Sequence, residues 1–382
     1  MSAFEKAGRP LGNLVLLAPS LVGNLSILLI LAVAGALAAF APELYYEAVQ
    51  EDGLLEWASF WAFMLAAGAF AATTVRRWRA TSPAPWFVLC LTVFCAVVAL
   101  EEISWGQRLI GFRPPSYFLG NNFQQELNFH NIMPSDLRQL GVALVILAYG
   151  ILLPLAMRVR LINPLLARLG VVPPPAWAMV ASGVMFVVYL WYPWDFTGEW
   201  IELALGLTFL FTADDLRRQD SRRMFAWRRG MQTVGLWIAV LCLGAVTTSF
   251  QGWRASNDPA RTDAARVELD ALRTDLASPV ADSNCGAHKR LYTLMHQRRW
   301  DALGAGQFAK LGSLGVPEAR IQYLLDPWNS PYWMRDLCTD AADNGRLAFV
   351  YSFGPNRRRD STEHGIAGDD IGLVLGNASR RN

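Results

Sequence analysis

The stretch "VVALEEISWGQRLIGF", residues 97–112, decides the fold class. It ends an apolar run on two adjacent carboxylates, Glu101 and Glu102, and continues with Ser104, Trp105, Gln107 and Arg108. From Trp86 to Leu100 there is no charged residue, a pattern that fits a lipid solvent better than water. The rest of the chain agrees. It has 382 residues, 53% hydrophobic and only 17% charged, with 15 tryptophans and a mean hydropathy of +0.24. A soluble domain carries about 25% charged residues. The apolar excess lies between residues 14 and 250, whereas 255–382 reads as ordinary soluble sequence. A net charge of +2 supplies no field for nucleic acid.

A transmembrane helix needs about 20 mostly apolar residues. Spans are expected at 14–40, 54–75, 84–101, 138–157, 176–192, 199–213 and 231–250, the sixth being short and carrying Glu202. That makes seven, or six without the short one. The first is no cleaved signal peptide, because "AFA" is followed by Pro42, which disfavours cleavage. Loop charges orient the bundle. Arg76, Arg77 and Arg79 fill one loop, Arg158, Arg160 and Arg168 another, and six arginines lie between 217 and 229. The alternate loops "PELYYEAVQEDG" (42–53) and "YPWDFTGEW" (192–200) are acidic. Arginine-rich loops stay inside. The expectation is a bacterial inner-membrane protein, mainly α, with a polytopic domain over 1–253, a cytoplasmic N-terminus and a periplasmic domain over 254–382.

Cys90, Cys95 and Cys242 fall in spans and read as small apolar residues. Cys285 and Cys338 are the only cysteines of the outer domain, and an oxidising compartment favours their pairing as a disulfide. Asp258 is placed to cap a helix with Pro259 in its first turn, and Ala265, Leu269, Leu272 and Leu276 form one apolar face. A second helical stretch is expected over 286–311. "LAFVYSF" and "DIGLVLG" then read as strands of a small antiparallel sheet around the polar loop "GPNRRRDSTEHGIAGD".

"DPWNSPYW" (326–333) followed by "FVYSFGPNRRRDSTEHGIAGDDIGLVL" (349–375) resembles the C-terminal part of the major pseudopilin of type II secretion systems. That family has an Asp-Pro-Trp-Gly-Asn-Pro-Tyr segment, a Tyr-Ser-x-Gly strand end and an acidic loop closing on Asp-Ile. The resemblance covers about 50 residues and implies an α+β domain on an inside-to-outside membrane helix. It also implies calcium in the acidic loop, with Asp360, Asp369 and Asp370 as the matching ligands. Because "RRMFAWRRG" and six spans precede that helix, the segment reads as a borrowed domain and not as a pilin.

The loop 101–137 carries the remaining chemistry. Glu126 and His130 are four apart, so a helical turn would put both on one face. Glu199 and Glu202 open the sixth span. Ionisable groups at membrane depth are costly and point to function. Glu101, Glu102, Glu126 and His130 are the candidate catalytic residues, with Gln107, Asn131, Glu199 and Glu202 as a polar shell. A glutamate pair in a partly dry site can split its pKa values and supply a base to water beside His130. Alternatively, the same groups can hold a divalent metal. The blander reading makes them interfacial charges, with Trp105 in the aromatic belt. "EEISWGQR" with "ELNFHN" also resembles a combination recurring in bacterial polytopic membrane proteins, which implies kinship but no activity. The leading function is an envelope or secretion-associated component in the bilayer whose outer domain docks a protein partner. The alternative is a membrane-embedded hydrolase.

Overall fold

The computed structural model describes residues 9–50, 52–80, 85–122, 124–219, 226–255, 258–276, 297, 299, 305–336, 348–361 and 365–375. In chain order the helices are α1 (Arg9–Phe40), α2 (Pro42–Ala48), α3 (Leu54–Arg79), α4 (Trp86–Glu102), α5 (Gln107–Ile110), α6 (Ser116–Asn121) and α7 (Ser135–Val145). A π-helical stretch, Ile146–Leu152, joins α7 to α8 (Leu153–Ala156). Then follow α9 (Asn163–Arg168), α10 (Ala178–Trp191), α11 (Thr197–Gln219), α12 (Ala226–Ala255), α13 (Pro259–Leu276), α14 (Ala309–Ser313) and α15 (Glu318–Ile321). Three strands close the described chain: β1 (Trp333–Asp336), β2 (Ala348–Ser352) and β3 (Ile371–Leu375).

Every stretch expected to span is helical, but they differ in kind. Four are long and apolar enough to cross a membrane: Val22–Phe40, Leu54–Arg79, Ser135–Ala156 and Met231–Gln251. Counting the broken pair Trp86–Glu102 and Ser104–Ile110 as one span makes five. The expected fifth and sixth spans do not qualify. With 14 residues, α10 reaches about 21 Å, short of the roughly 30 Å hydrocarbon core. α11 carries acids in its first turns and arginines in its last, and its middle is wrapped by protein: Ile201, Ala204 and Ala213 are wholly buried.

The chain forms two compact units. The first comprises Met1–Val49, Gly53–Glu102 and Pro134–Thr247; the second comprises Gln50–Asp52, Ile103–Met133 and Thr248–Asn382. The loop 103–133, expected with the membrane half, thus belongs with the C-terminal segment. Its polar side chains find their partners there, as described below.

In the first unit α3 packs against α4 and α11. Gly206 permits the close approach of α11, since a Cβ there would lie 3.0 Å from Ala62 Cβ. The π-helical stretch has a local cause: Pro154 has no amide to return to the Gly150 carbonyl, so the ladder widens.

In the second unit α13 lies on the sheet, whose order is β1-β2-β3 with both pairs antiparallel. The predicted stripe is the buried one: Ala265, Leu269 and Leu272 face a core shared with Phe308, Leu311, Tyr332, Met334, Val350 and Leu373. The residues alternating with Val350, namely Phe349, Tyr351 and Phe353, bury the other face with Trp333 and Ile366. A sheet covered on both faces explains the apolar run "FVY". Tyr351 pairs across with Gly372, where a Cβ would meet Tyr351 Cβ at 2.6 Å.

A bidentate pair, Arg320 Nη1 and Nη2 to Glu268 at 3.1 and 2.6 Å, ties α15 to α13, and the Tyr332 hydroxyl donates to the same carboxylate at 2.8 Å. Asp258 departs from expectation. Its carbonyl oxygen accepts Thr262 N at 3.1 Å, while its carboxylate turns to accept Trp328 Nε1 at 3.0 Å. Leu272 is fully buried, so Leu272→Ala is expected to cost about 2–5 kcal/mol in thermal unfolding of this unit. A loss below ~1 kcal/mol would remove α13 from the core.

Candidate functional site

The motifs that stood out in the sequence meet in one buried polar network of the second unit. After α4 the backbone takes three successive left-handed residues, Ser104 (φ 48), Trp105 (φ 54) and Gly106 (φ 75). Such backbone is strained for residues with a Cβ and persists only when surroundings over-determine it. Here side chains do so. Ser104 Oγ donates to Glu126 Oε2 at 2.6 Å, and Asn128 Nδ2 donates to the same oxygen at 2.9 Å. Asn122 Nδ2 donates to Glu126 O and to Asn128 Oδ1, both at 2.8 Å. Gln107 accepts Leu127 N at 2.7 Å and donates to Gln125 O at 3.3 Å.

Arg108 is the centre of this network and is only 6% exposed. It pairs with Asp52 Oδ2 at 2.7 Å and with Glu126 Oε1, and its guanidinium lies 5.5 Å from the Phe353 ring centroid. The other Asp52 oxygen accepts Gln251 Nε2 at 3.4 Å. Arg357 donates to the Arg108 carbonyl, Gln125 Nε2 to Tyr323 O at 2.9 Å, and Asn329 Nδ2 to Gly111 O at 3.2 Å. One cation between two carboxylates, all buried, is stable only as a set. Asp52 (φ 57) and Arg357 (φ 59) are also left-handed, so several members are held in backbone they would not adopt alone.

This arrangement corrects the reading of Glu126 and His130. No helical turn joins them. The described residues between Asn122 and Pro134 form turns, with Gln125 at φ 57, and Glu126 is committed to Arg108, Ser104 and Asn128. An ion-paired carboxylate buried this way is not poised as a general base. His130 lies half-buried in the turn that follows, and Asn131 donates to Gln124 Oε1.

Glu101, Glu102, Glu199 and Glu202 belong to the first unit. There Glu102 lies within electrostatic reach of Glu202, Glu199, Glu56 and Glu101. The expected quartet is therefore divided: its first two members share a unit with the second acidic pair, and Glu126 and His130 share the other.

In the acidic loop of the sheet, Asp360, Asp369 and Asp370 are engaged with the loop's own amide groups. Asp370 Oδ2 accepts the amides of Asp360 and Ser361 at 3.2 and 2.7 Å. Asp369 Oδ2 accepts Asn356 N at 3.0 Å, and Asp360 Oδ2 accepts Asn356 Nδ2 at 2.9 Å. The carboxylates close the loop by binding its own amides. Burial pushes the Asp369 carboxyl up to about 7, helped by a hydrogen bond with Asp360, and burial pushes Asp370 up to about 7. Among the described residues no group of three or more His, Cys, Asp or Glu side chains is placed to hold a metal ion. Cys285 and Cys338 lie outside the described residues.

Arg108 and Asp52, with Asn122, Gln125, Gln251 and Arg357, were not among the expected site residues; the signal for Arg108 was its place beside the acidic motif, two residues after Gly106. Comparison with protein-family models, with curated proteins and with solved structures gives no match.

Proposed function

We propose that the chain is an integral protein of a bacterial inner membrane, with a cytoplasmic N-terminus and its C-terminal segment in the periplasm. It displays a pseudopilin-like periplasmic domain that docks an envelope or secretion component. One observation carries the reading. The C-terminal part of the chain has the element order the resemblance implies: an apolar helix (α12), an amphipathic helix (α13), and a three-stranded antiparallel sheet entered through a closed Asp-Pro-Trp-Asn-Ser-Pro loop. In that loop Asp326 N donates to Ser330 O at 2.7 Å, and Asp326 Oδ1 accepts Trp328 N and Ser330 N, each at 2.9 Å. The Arg108 network favours the same reading over a hydrolase, because it uses the motif's Glu126 in structure.

Intact protein and a chain ending at residue 253 are compared as baits in cross-linked bacterial membranes, with insertion of both verified. Intact protein is expected to recover an envelope partner that the shortened chain loses; equal recovery sinks the docking reading.

The hydrolase remains as the second reading on one observation, the gathering of Glu56, Glu101, Glu199 and Glu202 around Glu102. Glu102→Gln separates the two. Loss of the cellular phenotype with normal insertion and an unchanged partner would favour chemistry.

A further inference from the structure

The first unit contains a second polar feature that neither reading uses. Where α3 ends, a pocket of about 1000 Å³ opens between Arg76, Arg77, Met157, Val172, Trp177 and Leu216. Its rim is cationic and its wall apolar. The wall continues into the segment 157–170, where Leu161, Leu165 and Leu169 are 89%, 59% and 57% exposed and alternate with Arg158, Arg160 and Arg168. Exposed leucines interleaved with arginines are the composition of a segment lying in a membrane interface.

We infer that this pocket binds the phosphodiester headgroup of a phospholipid, with Arg76 and Arg77 on the phosphate and the glycerol and upper acyl carbons along Val172, Trp177 and Leu216. Guanidinium groups form paired hydrogen bonds to phosphate oxygens, and basic pockets between membrane helices on the arginine-rich side suit anionic heads. The charge selects the class of phosphate. Asp215 also lines the pocket, so two arginines and one aspartate leave one net positive charge, matching a phosphodiester monoanion better than a phosphomonoester dianion. The neighbouring Asp214 is paired with Arg218 on the same helix and adds no free charge at the rim. Thr212 also lines the pocket and adds a hydroxyl to its polar atoms. The inference rests on the membrane reading of the helices.

The test uses full-length protein, delipidated in detergent and titrated with phosphatidylglycerol under native mass spectrometry. One lipid is expected to be retained. Arg76→Ala with Arg77→Ala is expected to weaken it at least ~10-fold, and Ala176→Trp, which fills the exposed part of the pocket without removing charge, by a similar factor. Arg79→Ala, on the same helix end but outside the pocket, is expected to change it less than ~2-fold. A loss in Arg79→Ala equal to that of the double variant, with Ala176→Trp unchanged, would reduce the effect to surface charge and overturn the site. Displacement by inorganic phosphate or by glycerophosphoglycerol at the same concentration would assign the pocket to a soluble anion and overturn the lipid. Release of the protein from membranes by alkaline carbonate would instead refute the membrane reading, and it is scored separately.

Discussion

Arg108→Ala is expected to destabilise the second unit by about 3–5 kcal/mol, because it removes the guanidinium that the buried Asp52 and Glu126 carboxylates share. On a unit of this size that is roughly a 10 °C fall in melting temperature. The triple change Arg108→Met, Asp52→Asn and Glu126→Gln is expected to recover most of the loss, since removing every charge removes the desolvation penalty along with the attraction. The measurement is thermal unfolding of detergent-solubilised protein, followed by protease resistance of the C-terminal segment. A single variant within ~1 kcal/mol of wild type would show that the network is not buried in solution. The strained turn adds a second readout. In Glu126→Ala, Ser104 loses the carboxylate that holds its side chain in the left-handed turn, so cleavage at 104–106 is expected to rise first.

Asp326 is the second strong case. It is fully buried, and its carboxylate accepts the amides of Trp328 and Ser330 and the Ser352 hydroxyl, the last at 2.5 Å. Asp326→Ala is expected to cost on the order of 3 kcal/mol, through donors left unsatisfied at the entry to β1. Asp326→Asn keeps the shape and tests the charge. Burial raises the Asp326 carboxyl from 3.8 to about 6, so the folded protein holds this proton more tightly than the unfolded chain does. Its contribution to stability is then fully present below about pH 4 and is lost as the pH rises through about 6. Asp369 and Asp370, raised in the same direction to about 7, extend the decline to near neutrality. Wild-type unfolding free energy is expected to fall between pH 4 and 7, with Asp326→Asn removing the lower part of that fall. An unchanged pH profile in the variant would mean that Asp326 is ionised in the fold.

Much of the architecture was legible because it follows from local pattern. An apolar run without charge makes a helix in any setting that hides its backbone, so all seven expected stretches are helical. The spacing Ala265, Leu269, Leu272 marked the buried face of α13, and the apolar runs at 348–352 and 371–375 became β2 and β3. Which helices are apolar and long enough to span was less legible. Hydropathy does not distinguish lipid from a protein interior, and α11 takes its apolar surroundings from other helices.

The candidate site shows the limit most clearly. The sequence reading singled out Glu126 and Gln107, but four-residue spacing suggested a helical face where the chain instead turns at Gln125. Spacing predicts neighbours only inside a regular element. The partner of Glu126 is Arg108, eighteen residues away, joined by Asp52, fifty-six residues from Arg108. Sequence by itself determined the apolar helices, the less apolar C-terminal segment with its small sheet, and the polar motifs. Only tertiary structure decided that the loop 103–133 belongs with that segment and that its charges are bound to one another. The physical reason is that a buried charge takes its meaning from what lies within a few ångströms, and chain distance carries no information about that.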